Sequence, residues 1–307
     1  MESKPTTSYC HIGTLGDILA ALPSIQECVR LQGKKADLYL MKDIPGLYPS
    51  HINHSTRDDN GKMVTLNQRV IDMMIPLLEA QPYINKAAVH QPDMDIDIDL
   101  TRITREFVNM PMHPLSYWYF YIYPDLFCDV SQPYIFVPDT DKDFGVKGKV
   151  IISRTERYHN EQQTIGYSFL KEWEKDCVFS GTTQEYNIFC KTYDLNMPLI
   201  DVKNFLELAQ ALKQSNGLIS NQTMVFQLAE GLKTPRAVEL CSSSPNVTVQ
   251  GKNGYEFYRQ YALELFFHTF MQRRSWWISS MVERAKEIQP DIERAELNPQ
   301  IKTTIKR

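Results

Sequence analysis

One carboxylate and two guanidinium groups stand where this sequence can do chemistry. Asp17 follows Gly16 at the end of the loop HIGTLGD, just before the helical pattern of Ile18 to Gln32. A carboxylate there can project into a cleft beside backbone N–H groups that attract anions, or it can cap the helix that follows, since Asp is a favoured N-cap residue. Arg154 and Arg157 come directly after the apolar run Val150 to Ser153, where a guanidinium can meet a phosphate or stay solvated. Gly181 and Thr182 follow a second apolar run, Cys177 to Ser180, and form either a loop around a base or ribose or an ordinary turn. The stretch SNQTM, Ser220 to Met224, places Asn221, Gln222 and Thr223 after a third run, and Glu230 lies on the helix beyond.

These groups can meet only if strands and helices alternate so that the loops share one side. In the first part of the chain, Tyr9 to Ile12 is a strand, and Ile18 to Gln32 puts Ile18, Leu22, Ile25 and Val29 on one helical face. Ala36 to Met41 is a second strand, Val64 to Ala80 keeps helical spacing despite Pro76, and Met94 to Leu100 alternates apolar residues with acids. Val137 to Lys149, VPDTDKDFGVKGK, mixes Pro, Gly and charge and reads as an inter-domain linker.

Beyond it the alternation resumes. Val150 to Ser153, Cys177 to Ser180, Gly217 to Ser220 and Arg236 to Leu240 read as strands, and Tyr167 to Lys175, Val202 to Gln214 and Met224 to Leu232 as helices. This pattern predicts an α/β protein of two domains, residues 1–140 and 141–307, whose parallel sheets face each other across a cleft at their carboxyl ends. Gly254 to Ala285 reads as a long, aromatic-rich helical stretch.

Composition narrows the function classes. The chain has 307 residues, 43% of them hydrophobic, and 33 Lys and Arg against 37 Asp and Glu for a formal charge of −4. That excludes a polycation and a strongly acidic disordered chain. The charge is uneven: residues 1–140 carry a net −6 and the remainder +2, with +3 in residues 268–307. The six cysteines form no C-x-x-C pair and have no His at ligand spacing, so no metal site is expected. Without a long apolar segment, stable membrane insertion is not expected and a cytoplasmic location is. Asp93, Asp95, Asp97 and Asp99 read as a solvated or polar-contact face, and the aromatic run Met112 to Pro124 as core or as a sugar-binding wall.

Four segments in order resemble the heptosyltransferase-like glycosyltransferases, glycosyltransferase family 9. They are HIGTLGDILAALPSIQ (11–26), DIDIDLTR (95–102), SRTERYHN with FLKEW and FSGTTQE (153–185), and FLELAQALKQSNGLISNQTMVFQLAEGLKTPRAVEL (205–240). The resemblance implies a GT-B fold with two Rossmann-like domains. The first would recognise the acceptor, the second would hold a nucleotide-diphosphate sugar, and the C-terminal helices would pack back on the first. It also implies inverting, metal-independent transfer with no cofactor beyond that co-substrate. Asp17 matches the family's base, and Arg157, then Arg154, its basic group for the leaving diphosphate. Gly16, Gly181, Thr182, Asn221, Gln222, Thr223 and Glu230 would line the nucleotide site.

The sequence departs from the family at SNQTM, where G-x-D-T-G is usual: Gln222 replaces the acid and Met224 the second glycine. The expected acceptor is a glycan. A hydroxylated DNA base is an alternative, favoured by the compact chain and basic tail, and a non-catalytic binding protein is another, favoured by the altered loop. A dinucleotide oxidoreductase fits less well, because no G-x-G-x-x-G follows the first strand. The oligomeric state is left open.

Overall fold

A computed structural model describes residues 5–46, 54–106, 113–160 and 164–283. Its first half runs β1 (Thr6–His11), α1 (Leu15–Gln32), β2 (Lys35–Leu40), α2 (Gln68–Glu79), β3 (Ile84–Val89), β4 (Ile98–Asp99) and α3 (Leu115–Ile122). The strands form a parallel sheet in the order β3-β2-β1-β4. The second half runs β5 (Val150–Ser153), β6 (Cys177–Phe179), α4 (Thr183–Tyr193), α5 (Phe205–Gln214), β7 (Gly217–Ser220), α6 (Met224–Leu232), β8 (Arg236–Glu239), β9 (Gly254–Phe257) and α7 (Gln260–Phe270). Its sheet is also parallel, in the order β6-β5-β7-β8-β9.

Local chemistry explains most of the elements. The four residues of β5, VIIS, are all buried, as a parallel strand covered on both faces requires. Helix α1 buries Ile18, Leu22 and Ile25 and stops at Gly33, whose left-handed φ of 70° lets its N–H reach the Val29 carbonyl at 2.8 Å. Asn67 and Asn204 cap α2 and α5 by accepting from Val70 N and Glu207 N, at 2.9 Å each.

Several expected boundaries change. The strand expected over Met94 to Leu100 shrinks to Ile98–Asp99. Asp97 turns to accept from Ser8 N and Ser8 Oγ, at 2.9 and 2.8 Å, while Asp99 caps the 3-10 turn Leu100–Thr104 through Thr101 N. Asp97 and Asp99 therefore serve polar contacts. Tyr167 to Lys175 forms a 3-10 helix, Ser168–Asp176. The expected C-terminal helix opens as strand β9, followed by α7 and a further helix whose described part is 274–283. Trp276 of that helix meets Trp173 and His268, with ring centroids 6.4 and 5.2 Å away, so its described part packs beside the second sheet. Residues 284–307 lie outside the described residues.

The two sheets are joined through their helices. One hydrophobic core runs from Ile18, Leu22 and Ile25 of α1 through Met74 and Leu78 of α2 to Phe205 and Leu212 of α5 and Phe226 of α6. A second core under the other sheet gathers Ile152, Tyr167, Phe179, Phe257 and Phe267. The connecting chain is pinned along these helices. Tyr134 N and Ile135 N both donate to the Gly231 carbonyl, at 3.0 and 3.1 Å. Farther on, Lys213 holds Asp139, and Gln210 donates to the Pro138 carbonyl. A side chain at Gly231 would collide with Ile135, whose Cδ1 lies 2.4 Å from where a Cβ would stand, so this crossing demands glycine.

Candidate functional site

In an open parallel sheet, ligands collect at the carboxyl ends of the strands where the chain reverses its direction of growth. In the first sheet β2 and β3 lie on one side of β1 and β4 on the other; in the second, β6 lies on one side of β5 and β7 on the other. The chain just after β1, β5 and β7 is therefore the candidate site. It carries Asp17, Arg154 to Tyr158 and Asn221 to Thr223. The helices that follow β1 and β7, α1 and α6, pack together near their starts: a Cβ on Gly16 would lie 3.8 Å from Gln227 Cγ.

Thr14, not Asp17, is the N-cap of α1, and Asp17 closes the helix start from within the first turn. It stands at the third position of α1, and Oδ2 accepts from Thr14 N at 2.7 Å and Thr14 Oγ1 at 2.9 Å, closing the helix start. Oδ1 makes no hydrogen bond among the described residues. Burial pushes the carboxyl pKa up while the two bonds from Thr14 oppose the shift, which favours a proton acceptor over an inert surface carboxylate.

Beneath it lies a relay absent from the sequence expectations. Gly13 N donates to His11 Nδ1 at 2.9 Å, so the ring proton is on Nε2, which donates to Tyr119 Oη at 2.7 Å; Tyr119 in turn donates to the Asp17 carbonyl at 2.9 Å. Burial lowers the His11 pKa to about 3, Asp99 opposing only in part, so the ring is neutral. Tyr119 belongs to the aromatic run on α3; it and Phe120 are core, whereas Tyr121 is exposed.

On the facing side, Asn221 is a clamp. Fully buried, it donates through Nδ2 to the carbonyls of Thr155 and Arg157, at 3.0 and 2.6 Å, and accepts from Thr155 N through Oδ1 at 3.0 Å. It fixes the loop that presents Arg157 and Tyr158. The Arg157 guanidinium lies 5.8 Å from the centroid of the Tyr158 ring and makes no ion pair among the described residues. Burial raises the Tyr158 pKa; Arg157 opposes, and Asp17 and Cys241 add to it. Burial, Arg157 and Arg57 together lower His54 to about 4. Arg157 thus acts on both Tyr158 and His54, and Asp17 acts on Tyr158.

The other expected residues divide. Arg154 is held by the buried carboxylate of Glu239, Nε to Oε2 at 3.0 Å and Nη2 to Oε1 at 3.3 Å, and Asn160 N donates to the same carboxylate at 2.8 Å. Thr223 caps α6, accepting from Phe226 N at 3.1 Å, and Gln222 donates to the Ser244 carbonyl. Gly181 and Thr182 are exposed on the β6 edge, where Thr182 and Glu185 form a capping box for α4. The structure does not bring Glu230 to the group. It lies in the last turn of α6 and pairs with Lys233 and with the buried Arg236, 2.6 Å away at the amino end of β8, opposite the strand ends that form the site.

At the carboxyl end of β2, the neighbour of β1, opens a cleft of about 580 Å³ lined by Lys42, Asp43, Asp59, Arg69, Asp72 and Lys203 among others. Among the described residues, no three His, Cys, Asp or Glu side chains are grouped to hold a metal ion, and no helix is long and apolar enough to cross a membrane.

No protein-family profile and no curated protein sequence matches the chain. Solved structures do. A family 9 glycosyltransferase from Veillonella parvula superposes with a TM-score of 0.55 at 10% identity, over 89% of this chain and 99% of that one. The Escherichia coli ADP-heptose lipopolysaccharide heptosyltransferase II gives 0.52 at 11%, over 92% and 99%. The E. coli heptosyltransferase WaaC with ADP-2-deoxy-2-fluoro heptose gives 0.50 at 9%, over 90% and 99%. The chain has the GT-B fold of these enzymes. The expected architecture of two parallel α/β sheets is therefore met.

Within this GT-B fold, sequence reasoning missed Tyr158 and Glu239, and it placed His11 near the cleft and Tyr119 in an aromatic run without their bond. His11 sits at the end of a legible strand, but its partner is 108 residues away. Tyr158 and Glu239 lie beside residues that were singled out, and only the folded chain shows what they face.

Proposed function

We propose that this chain is a glycosyltransferase that transfers a sugar with inversion from a nucleotide-diphosphate donor to a hydroxyl of a glycan acceptor, without a metal ion. One observation carries the reading: the Asp17 carboxylate, following β1 of one sheet, and the Arg157 guanidinium, following β5 of the other and without an ion pair among the described residues, both act on Tyr158. The acceptor oxygen attacks the anomeric carbon while its proton passes to Asp17. The bond from that carbon to the diphosphate breaks, and its electron pair leaves on the phosphate oxygen. Arg157 meets the growing charge, while Arg154, its charge balanced by the buried Glu239 carboxylate, braces the strand end. Asn221 sets the loop that carries both arginines.

The test is a panel of nucleotide sugars and glycan acceptors with Asp17→Asn. The amide still accepts from Thr14 through its oxygen, so the helix start survives, but it no longer takes a proton. Transfer should fall by about 10²–10⁴, with donor affinity unchanged. Full turnover by Asp17→Asn would remove Asp17 as the base.

A further inference from the structure

Tyr158 occupies a conformation that a bulky side chain avoids. Its φ is 50°, in the left-handed region where the Cβ crowds the backbone and residues other than Gly, Asn and Asp are uncommon. The fold enforces it through Asn221, which grips the Thr155 and Arg157 carbonyls and the Thr155 N–H just before the strained residue. Strain over-determined in this way clusters at functional sites.

What Tyr158 could serve follows from its neighbours. The Arg157 guanidinium stands 5.8 Å from its ring centroid, and the Asp17 carboxylate acts on its phenol from the other sheet. If Asp17 takes the acceptor proton and Arg157 meets the diphosphate, the transferred group must lie between them, because attacking oxygen, anomeric carbon and leaving oxygen align in an inverting displacement. Tyr158 is the side chain that stands against Arg157 and also feels the charge of Asp17. Aromatic faces pack against the C–H faces of sugar rings, and a phenol can bond a hydroxyl at the rim.

We propose that Tyr158 is the contact for the transferred sugar ring, and that its left-handed backbone, clamped by Asn221, holds the aromatic face against that ring. The inference rests on the glycosyltransferase reading and adds to it the residue that recognises the donor's sugar.

Paired probes separate sugar from nucleotide: ADP and ADP-glucose, UDP and UDP-glucose, GDP and GDP-mannose, each titrated calorimetrically. Tyr158→Gly suits the test because glycine adopts this φ without strain; its melting temperature should stay within about 4 °C of the wild type. For the nucleotide that the wild type recognises, Tyr158→Gly should lose about tenfold or more in affinity for the sugar form. It should keep the affinity for the bare diphosphate within about threefold. Tyr158→Phe, which retains the ring, should keep most of the sugar's contribution. The proposal is overturned if Tyr158→Gly binds the nucleotide sugar like the wild type, if it weakens both members of a pair alike, or if Tyr158→Phe behaves like Tyr158→Gly. A wild type that binds none of the six probes removes the glycosyltransferase reading itself, and this inference with it.

Discussion

His11 and Tyr119 share a 2.7 Å hydrogen bond that ties the carboxyl end of β1 to the aromatic helix α3. The bond has one polarity. Because Nδ1 is occupied by Gly13 N–H, Nε2 must be the donor, and the Tyr119 proton is left for the Asp17 carbonyl. The first turn of α1 is thereby fixed from below, while Thr14 fixes the Asp17 side chain from its own loop.

Removing the phenol oxygen tests this relay. Tyr119→Phe keeps the buried ring but leaves the His11 Nε2–H with no acceptor and removes the second donor to the first turn of α1. An unmade bond at a buried donor costs about 1–3 kcal/mol. Urea unfolding should show a loss of that size with an unchanged m-value, and nitrogen NMR should find His11 in the Nε2–H form in the wild type.

The same histidine makes stability depend on pH. Its folded pKa, about 3, lies below the ordinary imidazole value because burial disfavours the charged ring. Between the two values the unfolded chain binds a proton that the folded chain refuses. The contribution is therefore fully present above about pH 6.5 and is lost as pH falls toward 3, by roughly 1.4 kcal/mol per unit. His11→Gln has no ring to titrate. Relative to its own stability at pH 7, it should lose about 2–3 kcal/mol less than the wild type on going to pH 4.5, measured by urea unfolding at both values.

How far the sequence reaches is clearest at the strand ends. Val150 to Ser153, Gly217 to Ser220 and Met224 to Leu232 are legible because a fully buried parallel strand is a short apolar run and an amphipathic helix repeats every three to four residues. β3, INKAAV, was not, because its burial does not alternate and it holds Asn and Lys. α4 was hidden because only Phe189 of its eleven residues is buried. At the site, Asp17 and Arg157 stand out by residue type and place. Whether a polar residue faces the gap or props up a loop depends on partners distant in sequence. Asn221 finds Thr155 across 66 residues and Arg154 finds Glu239 across 85, whereas Glu230, expected to line the nucleotide site, pairs with Arg236 instead.

Gly13 gives a test of how tightly the loop is built. A Cβ there would stand 2.6 Å from both Asp17 Cβ and His11 Cε1, and neither side is free to yield, one being capped and the other bonded at both nitrogens. Gly13→Ala should lower stability by about 1–3 kcal/mol through overpacking and reduce transfer more than donor binding. The comparison is thermal unfolding against calorimetry with the donor.

Asn221 separates shape from charge. Asn221→Ala leaves the Thr155 N–H and the Arg157 carbonyl without their partner in a buried site, so a loss of about 2–4 kcal/mol is expected, with weaker donor binding as the Arg157 and Tyr158 loop relaxes. Asn221→Asp keeps the shape and can still accept from Thr155 N, but its ionised second oxygen would face the carbonyls of Thr155 and Arg157, which the native amide serves as donor. Burial and that repulsion raise the introduced carboxyl's folded pKa above its unfolded value of about 3.9. The unfolded chain then releases its proton first as pH rises. The variant should therefore stand nearest the wild type at about pH 4 and fall away from it toward pH 7. Urea unfolding of Asn221→Asp, Asn221→Ala and the wild type at the two pH values reads this directly. An alanine-like gap at both would mean that the loop tolerates the charge by turning its carbonyls away.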